Sequence, residues 1–246
     1  MSMIDVARQM QDATPTDVEF VVLAGWRIEE IAALLSTSGL SITPEEFIRT
    51  ASTPRGGYTF LSGAATNEGF LYPDSYVLPR TTTPDGFVDA LVRNFSQHLN
   101  PDLETGFATQ GLGVYEAVTL ASIVERESVR MEEAPLIASV YLNRLRAGMR
   151  LEADPTVQYA LGFDATRKTW WTNPLSLADL KFPSPFNTYL ITGLPPAPIA
   201  NPGEGALGAV ADPTLSPYYY FSARCDESGF HNFASTFEEH LANLCP

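Results

Sequence analysis

The sequence predicts an α+β fold in which helices dominate and strands are few and short. Apolar residues recur at helical spacing in several long segments, whereas strand-like alternation is confined to a few short ones. The sequence shows no regular strand–helix–strand alternation and no internal repeat. Hydrophobic residues make up 45% of the 246 residues and charged residues 18%. The chain can therefore bury a sizeable core, as one large domain or as one domain with a smaller companion.

A small α/β unit is predicted at residues 17–60, after a tail at residues 1–16. Its first element is a strand, because apolar residues alternate from Val18 to Val22. A helix follows, with apolar residues at helical spacing from Ile28 until Gly39 ends it.

The second helix of this unit has a clear start signal in the sequence. Thr43 is placed as the N-cap, Pro44 occupies the first helical position, and Glu46 completes a capping box. The segment TPRGG at residues 53–57 then marks a boundary, so a larger domain is predicted at residues 61–246.

The larger domain is predicted to be mainly helical. Residues 67–79 are predicted as an aromatic-rich loop that carries a site. The expected helices cover 84–98, 115–127 and 134–149, with short helices starting at Asp154, near Asn201 and after Ser235, and with two strands at 218–223 and 230–233.

The charge of the chain excludes some classes of partner. The formal net charge is −14 and the pI is about 4.5, which argues against nucleic-acid binding and against docking on anionic lipid headgroups. The longest apolar stretch, Phe20 to Trp26, is too short to span a membrane. No signal peptide is visible at the start, so either the protein is soluble and cytoplasmic or its targeting segment lies upstream, and we favour the second interpretation.

Several common catalytic machineries are missing from the sequence. It has no GxGxxG or Walker loop, no HExxH, no GxSxG and no CxxC, and it has three histidines and two cysteines. No metal and no cofactor are therefore expected. Carboxylates, amides and aromatic side chains remain as the candidates for chemistry.

The predicted helix TLASIVERES at residues 119–128 is apolar almost all round and yet contains Glu125 and Glu127. Glu125 falls on the same side as Ala121 and Ser122, whose small size leaves space in front of its carboxyl group. Burial raises the pKa of such a carboxyl, so it can act as a general acid near neutral pH. The alternative is a Glu paired with a nearby arginine, and the spacing does not choose firmly between Glu125 and Glu127.

Other polar residues have structural explanations of their own. Asn143 lies on one stripe of the next helix with apolar neighbours, where its amide satisfies the core or faces a polar substrate. Asp154 and Asn201 are each explained as the N-cap of a short helix. Cys225 and Cys245 are either unrelated thiols or a disulfide that ties the last helix to the preceding hairpin.

Five blocks of this sequence resemble the MltG (YceG-like) family of endolytic lytic transglycosylases. They lie in the family's order at residues 67–76, 120–128, 138–162, 184–203 and 218–240. The resemblance implies a lysozyme-like catalytic domain preceded by a LysM-like subdomain, of which this chain holds the last portion. It also implies a single-pass anchor, absent from this chain, that holds such proteins at the extracytoplasmic face of the cytoplasmic membrane. That location makes a Cys225–Cys245 disulfide more plausible.

The resemblance further implies that Glu125 is the catalytic acid and base, with no metal and no cofactor. Residues expected in or beside its cleft are Glu68, Asn143, Asp154, Tyr159, Asn187 and Tyr189. The family's tyrosine in the block SP-Y-NTY is Phe186 here, so no polar role is assigned to it.

The implied partners are peptidoglycan glycan strands and the peptidoglycan synthesis machinery. The implied reaction breaks the MurNAc-β-1,4-GlcNAc bond and leaves 1,6-anhydroMurNAc ends. A hydrolytic muramidase and a non-catalytic peptidoglycan-binding scaffold are the alternatives.

Overall fold

The computed structural model describes residues 16–245, and the tail predicted at 1–16 lies almost wholly outside them. The fold is mixed and mainly helical, as predicted. Its elements are β1 (Asp17–Val21), α1 (Ile28–Ser38), α2 (Pro44–Ala51), β2 (Ser75–Pro79), α3 (Pro84–His98), α4 (Pro101–Thr109), α5 (Val114–Glu127), α6 (Ala134–Arg146), α7 (Asp154–Leu161), α8 (Glu204–Ala211), β3 (Tyr220–Ala223), β4 (His231–Ala234) and α9 (Phe237–Ala242).

Helix α5 runs through the centre of the core. Every residue from Ala117 to Val124 on it is buried, and it packs against α6 and α8. The surrounding cluster of buried side chains is continuous from Phe20 in β1 to Ala211 in α8. The end of α5 is therefore held on a rigid support, which suits a residue that must be placed accurately.

The two strands near the N-terminus form an antiparallel pair in which Asp17 lies opposite Pro79 and Val21 opposite Ser75. β2 lies inside the segment that was predicted as a loop, because Tyr76 and Leu78 point into the core. This pairing joins the two sides of the boundary predicted at residue 60. The division into 17–60 and 61–246 stays a prediction.

Several predicted helix signals are confirmed. Thr43 caps α2 in a capping box with Glu46, and Gly39 ends α1 with a positive φ of 86°. The two N-cap assignments are wrong. Ala153 precedes α7, so that Asp154 is its first residue, and Gly203 precedes α8, so that Asn201 lies outside it.

Among residues 16–245, no single helix is long and apolar enough to cross a membrane. The pair α4 and α5 meets the length and composition test together, with a bend of 87° between them.

Candidate active site

A cleft with a volume of about 640 Å³ opens beside the C-terminal end of α5. Its walls come from the ends of α5 and α6, the start of α7, the β3–β4 hairpin and α9. Polar and aromatic side chains line it, among them Arg126, Glu127, Tyr141, Arg144, Asp154, Gln158, Asn173, Tyr189, Phe221, Ser222, His231 and His240.

Glu127, the last residue of α5, contributes a carboxyl group to this cleft. The Tyr141 hydroxyl donates a hydrogen bond of 2.8 Å to Glu127 Oε1. Burial raises the pKa of Glu127 to about 7, although the hydrogen bond from Tyr141 acts in the opposite direction. Near neutral pH this carboxyl group can therefore both give and accept a proton.

Asp154 and Tyr189 line the same cleft as a hydrogen-bonded pair. The Tyr189 hydroxyl donates to Asp154 Oδ1 at 2.7 Å. The charge of Asp154 raises the pKa of Glu127, so the two carboxyl groups lie within electrostatic reach of each other. These two residues are the predicted site residues that the fold brings to Glu127.

Glu125 is not among the residues that line this cleft. Two residues along a helix correspond to a turn of roughly 200°, which directs Glu125 and Glu127 to nearly opposite sides. The backbone N–H of Gly203 donates to Glu125 Oε2 at 3.0 Å. A Cβ atom on Gly25 would lie 3.6 Å from Glu125 Cγ, so the loops at Gly25 and Gly203 both approach this half-buried side chain.

The electrostatics of the two glutamates also differ. Burial raises the pKa of Glu125, against the Gly203 hydrogen bond and the charge of Arg126. Arg126 stacks on the ring of Trp171, with its guanidinium carbon 3.8 Å from the ring centroid. Within residues 16–245, none of the ion pairs includes Glu125 or Glu127.

Glu68 lies away from the cleft, where its carboxyl is 2% exposed and holds two segments together. The backbone N–H of Ile28 donates to both of its oxygens at 3.2 Å, and Asn201 Nδ2 donates to Oε1 at 3.0 Å. Burial raises the pKa of Glu68 to about 8. A substrate cannot reach this carboxyl in the folded protein.

Asn201, which donates to Glu68, also holds chain segments together. Its Oδ1 accepts hydrogen bonds of 2.9 Å from the backbone N–H groups of Gly69 and Leu71. Its Nδ2 also donates to the Trp26 carbonyl at 2.9 Å. The buried amide therefore satisfies backbone groups from two distant segments, as buried polar groups must.

Three further predicted site residues make structural contacts instead of lining the cleft. Asn143 Nδ2 donates to the carbonyls of Ser216 and Tyr218, which fixes the chain before β3. Asn187 is fully buried and its Nδ2 donates to the carbonyls of Leu180 and Phe182.

Tyr159 packs against Phe186, with ring centroids 4.9 Å apart, and the Arg27 guanidinium lies over its ring. Phe186 thus acts as an aromatic packing partner.

Three further residues line the cleft without having been predicted there, namely Tyr141, Arg144 and Gln158. Tyr141 and Arg144 are three residues apart on α6, and Asp154 and Gln158 are four apart on α7. Each pair shares one helix face, a signal that sequence could have supplied. Arg144 also supports the site, because its Nε donates to the Tyr219 carbonyl at 2.6 Å and its Nη1 to the Leu151 carbonyl at 2.7 Å.

The C-terminal wall of the cleft consists of the β3–β4 hairpin and α9. β3 and β4 are antiparallel, and a Cys225–Cys245 disulfide ties the hairpin turn to the end of the chain, with the two Cα atoms 5.5 Å apart. His231 Nδ1 lies 2.9 Å from Glu133 Oε2. In the described part of the chain, His, Cys, Asp and Glu form no group that could hold a metal ion.

Known proteins are similar to this chain over most of its length. The sequence profile of the YceG-like family matches residues 1–245. The chain is 34% identical over 176 residues to the endolytic murein transglycosylase of Bacillus subtilis strain 168, an alignment covering 70% of this chain and 46% of that protein. For the Streptococcus pneumoniae serotype 2 protein of the same name, identity is 31% over 182 residues, or 72% of this chain and 31% of that one.

The chain thus spans less than half the length of these curated relatives. A crystal structure of a yceG-like protein from Listeria monocytogenes superposes with a TM-score of 0.79 at 26% identity. That superposition covers 98% of this chain and 81% of the other.

Proposed function

This chain belongs to the YceG-like family, and from that premise we propose that it is an endolytic murein transglycosylase whose acid and base is Glu127. Its substrate would be the glycan strands of peptidoglycan. Two relatives carry this name, and the fold and the cleft fit the reaction. The observation that carries the assignment is the single raised-pKa carboxyl group of Glu127 inside a cleft of sugar-binding size.

The reaction can be written with Glu127 alone. Its protonated carboxyl donates a proton to the oxygen that links MurNAc C1 to GlcNAc, and the C1–O bond breaks as positive charge develops at C1. The resulting carboxylate then takes the proton from the MurNAc C6 hydroxyl, and O6 bonds to C1. The product is a 1,6-anhydroMurNAc end, water is not consumed, and the glutamic acid is restored.

The choice of Glu127 over Glu125 rests on which of the two carboxyl groups lines the cleft. The two were left open by helical spacing, and the family resemblance favoured Glu125. Glu125 accepts a hydrogen bond from the Gly203 N–H and is not among the residues that line the cleft, whereas Glu127 lies in the cleft beside Asp154. A general acid must come within hydrogen-bond reach of the oxygen that it protonates.

The neighbours of Glu127 suit a polar polymer. Tyr189, Asp154 and Gln158 offer donors and acceptors for hydroxyl and N-acetyl groups, and the Phe221 ring offers an apolar face for a pyranose. Glu68, Asn143, Tyr159 and Asn187, which the sequence placed near the site, act on this proposal as supports for the cleft walls.

A hydrolytic muramidase is the second candidate, because Asp154 supplies another carboxyl group in the same cleft. Hydrolases of this kind use two carboxyl groups, one as the acid and one as the nucleophile or base. The two candidates give different products from the same bond.

Digestion of purified sacculi followed by mass spectrometry of the released fragments tests both. Internal cuts with anhydro ends support the transglycosylase, and reducing ends replace it with the muramidase. If glycan strands are bound and not shortened, the protein is a non-catalytic scaffold and the enzymatic proposal fails.

The finer features implied by the resemblance belong to this proposal too. They are a LysM-like character for residues 17–60, a single-pass membrane anchor, action at the extracytoplasmic face of the membrane, and contact with the peptidoglycan synthesis machinery. The Cys225–Cys245 disulfide supports the location, because disulfides persist in oxidising compartments.

A further inference from the structure

Two polar atoms in the C-terminal wall of the cleft lack a partner. Among the residues that the structure describes, Ser222 Oγ in β3 and His240 Nδ1 in α9 are buried and make no hydrogen bond. Both residues line the same cleft as Glu127. Leaving such groups unpaired costs about 1–3 kcal/mol each, so a native protein rarely keeps them without a purpose.

Helix α9, which carries His240, is weakly attached. It has six residues and none of them is buried, so neither its length nor its packing stabilises it. The Tyr220 ring stacks on His240, with centroids 5.4 Å apart, and also contacts Phe237. Three residues after α9 ends, Cys245 is bonded to Cys225 in the hairpin turn.

The hairpin itself does not depend on this bond. Arg144 and Asn143 on α6 hold the chain at Tyr218 and Tyr219, and Tyr141 packs edge-on against Phe221. Loss of the disulfide would therefore release α9 and His240 while Ser222 and Glu127 kept their places.

We propose that Ser222 and His240 form a sugar-binding wall that hydrogen-bonds hydroxyl or N-acetyl groups of the glycan, and that the Cys225–Cys245 disulfide holds His240 in this wall. The proposal rests on the proposed function for the identity of the glycan. Ser222 and His240 contact the substrate, and the two cysteines are positioning residues. Binding at this wall stabilises substrate and transition state alike, so its loss raises KM and leaves kcat nearly unchanged.

The first test compares two substitutions of His240. His240→Phe keeps a ring for the stack on Tyr220 and removes the hydrogen bond, whereas His240→Asn places an amide nitrogen near the position of Nδ1. We expect the Phe variant to raise KM for sacculi about fivefold or more with kcat within about twofold, and the Asn variant to stay close to wild type. Ser222→Ala should resemble the Phe variant. Equal KM values for all of them overturn the sugar contact.

The second test concerns the disulfide. A dithiol such as dithiothreitol converts the bond to two thiols and is itself oxidised to a cyclic disulfide. The double variant Cys225→Ser and Cys245→Ser lacks the bond permanently. Both forms should show a raised KM and faster hydrogen exchange in residues 237–244, with α5 unchanged. In the double cysteine variant, His240→Phe should not raise KM any further. Additive effects of the two changes overturn the positioning role.

A binding measurement separates this proposal from the proposed function. Each variant is combined with Glu127→Gln, which prevents turnover, and its retention on insoluble sacculi is measured. This retention reports binding of the glycan at the wall alone. If wild type cuts no glycan but the His240→Phe variant still binds less than the Asn variant, the wall stands and the enzymatic proposal fails. If the cysteine variant does not fold, the comparison of His240→Phe with His240→Asn decides alone. Equal retention of these two variants on sacculi overturns the proposed sugar-binding wall.

Discussion

Glu125 and Glu127 leave the end of α5 in nearly opposite directions and meet different donors. The Gly203 backbone N–H reaches Glu125 at 3.0 Å, and the Tyr141 hydroxyl reaches Glu127 at 2.8 Å. One carboxyl group accepts a hydrogen bond from the residue before α8, and the other lies in the cleft. These two carboxyl groups, two residues apart on one helix, thus have different proposed roles, one structural and one catalytic.

Glu127→Gln and Glu125→Gln form a matched pair of substitutions on this helix. Glu127→Gln keeps the shape of the neutral acid and removes its proton, so release of fragments from sacculi should fall by at least about 10²-fold. Glu125→Gln keeps an oxygen for the Gly203 N–H, so its activity should stay within about tenfold of wild type. The opposite ranking, in initial rates, would return the acid role to Glu125.

The pH dependence of the rate should follow Glu127. Its pKa is raised to about 7, so the neutral acid is present below that pH and is lost as the pH rises through it. We expect kcat/KM to fall about tenfold per pH unit on the alkaline side of that pKa.

Tyr141→Phe removes a donor that favours the carboxylate form of Glu127, so the pKa of this group rises further. The alkaline limb of the profile should therefore move to higher pH in this variant. An unmoved limb in initial rates would assign the titration to another group.

Asp154 and Tyr189 should behave as one unit. Each of Asp154→Asn and Tyr189→Phe disturbs the 2.7 Å hydrogen bond between them, and each should lower kcat/KM. Once one substitution has broken the hydrogen bond, the second substitution cannot break it again. The loss of transition-state stabilisation in the double variant should therefore differ from the sum of the two single losses by about 0.5–3 kcal/mol. Strict additivity in a double-mutant cycle would show that the pair does not act together.

Glu68 should make folding stability depend on pH. Burial raises its pKa from 4.5 to about 8, so the folded protein keeps a proton in that window that the unfolded chain releases. The free energy of unfolding therefore falls as the pH rises between these values, by up to about 1.4 kcal/mol per pH unit.

Glu68→Gln resembles the neutral acid and removes this contribution. Urea unfolding of both proteins across the window should give a shallower slope for the variant, and parallel slopes would contradict the assignment.

Local sequence signals were sufficient for much of the fold. The helix Pro84–His98 was predicted with both ends correct, because its apolar residues recur at helical spacing. The C-terminal hairpin was also found. Helix α4 was missed because Phe107 is its one buried residue, so no periodic stripe marks it. β2 was missed because turn formers surround its alternation.

The site was harder to predict because its walls come from distant segments. Helical spacing identified both glutamates but could not show that Glu127 lines the cleft whereas Glu125 meets the loops at Gly25 and Gly203. Asp154 and Tyr189 were named from the resemblance and do lie together. Asn143, Asn187 and Glu68 were named too, yet their amides and carboxyl bond to neighbouring chain segments, which sequence spacing does not reveal.

The buried contact of Asn201 with Glu68 and the Trp26 carbonyl has a consequence for how this protein can be divided. A fragment starting at residue 61 would lose Trp26 and Ile28, so Glu68 would lose the Ile28 N–H and Asn201 would lose the Trp26 carbonyl in a buried contact. Proteolytic nicking near residue 57 should accordingly leave the two pieces associated. We expect both to melt in one cooperative transition, so the N-terminal strand and first helix belong to the smallest part of this chain that can fold.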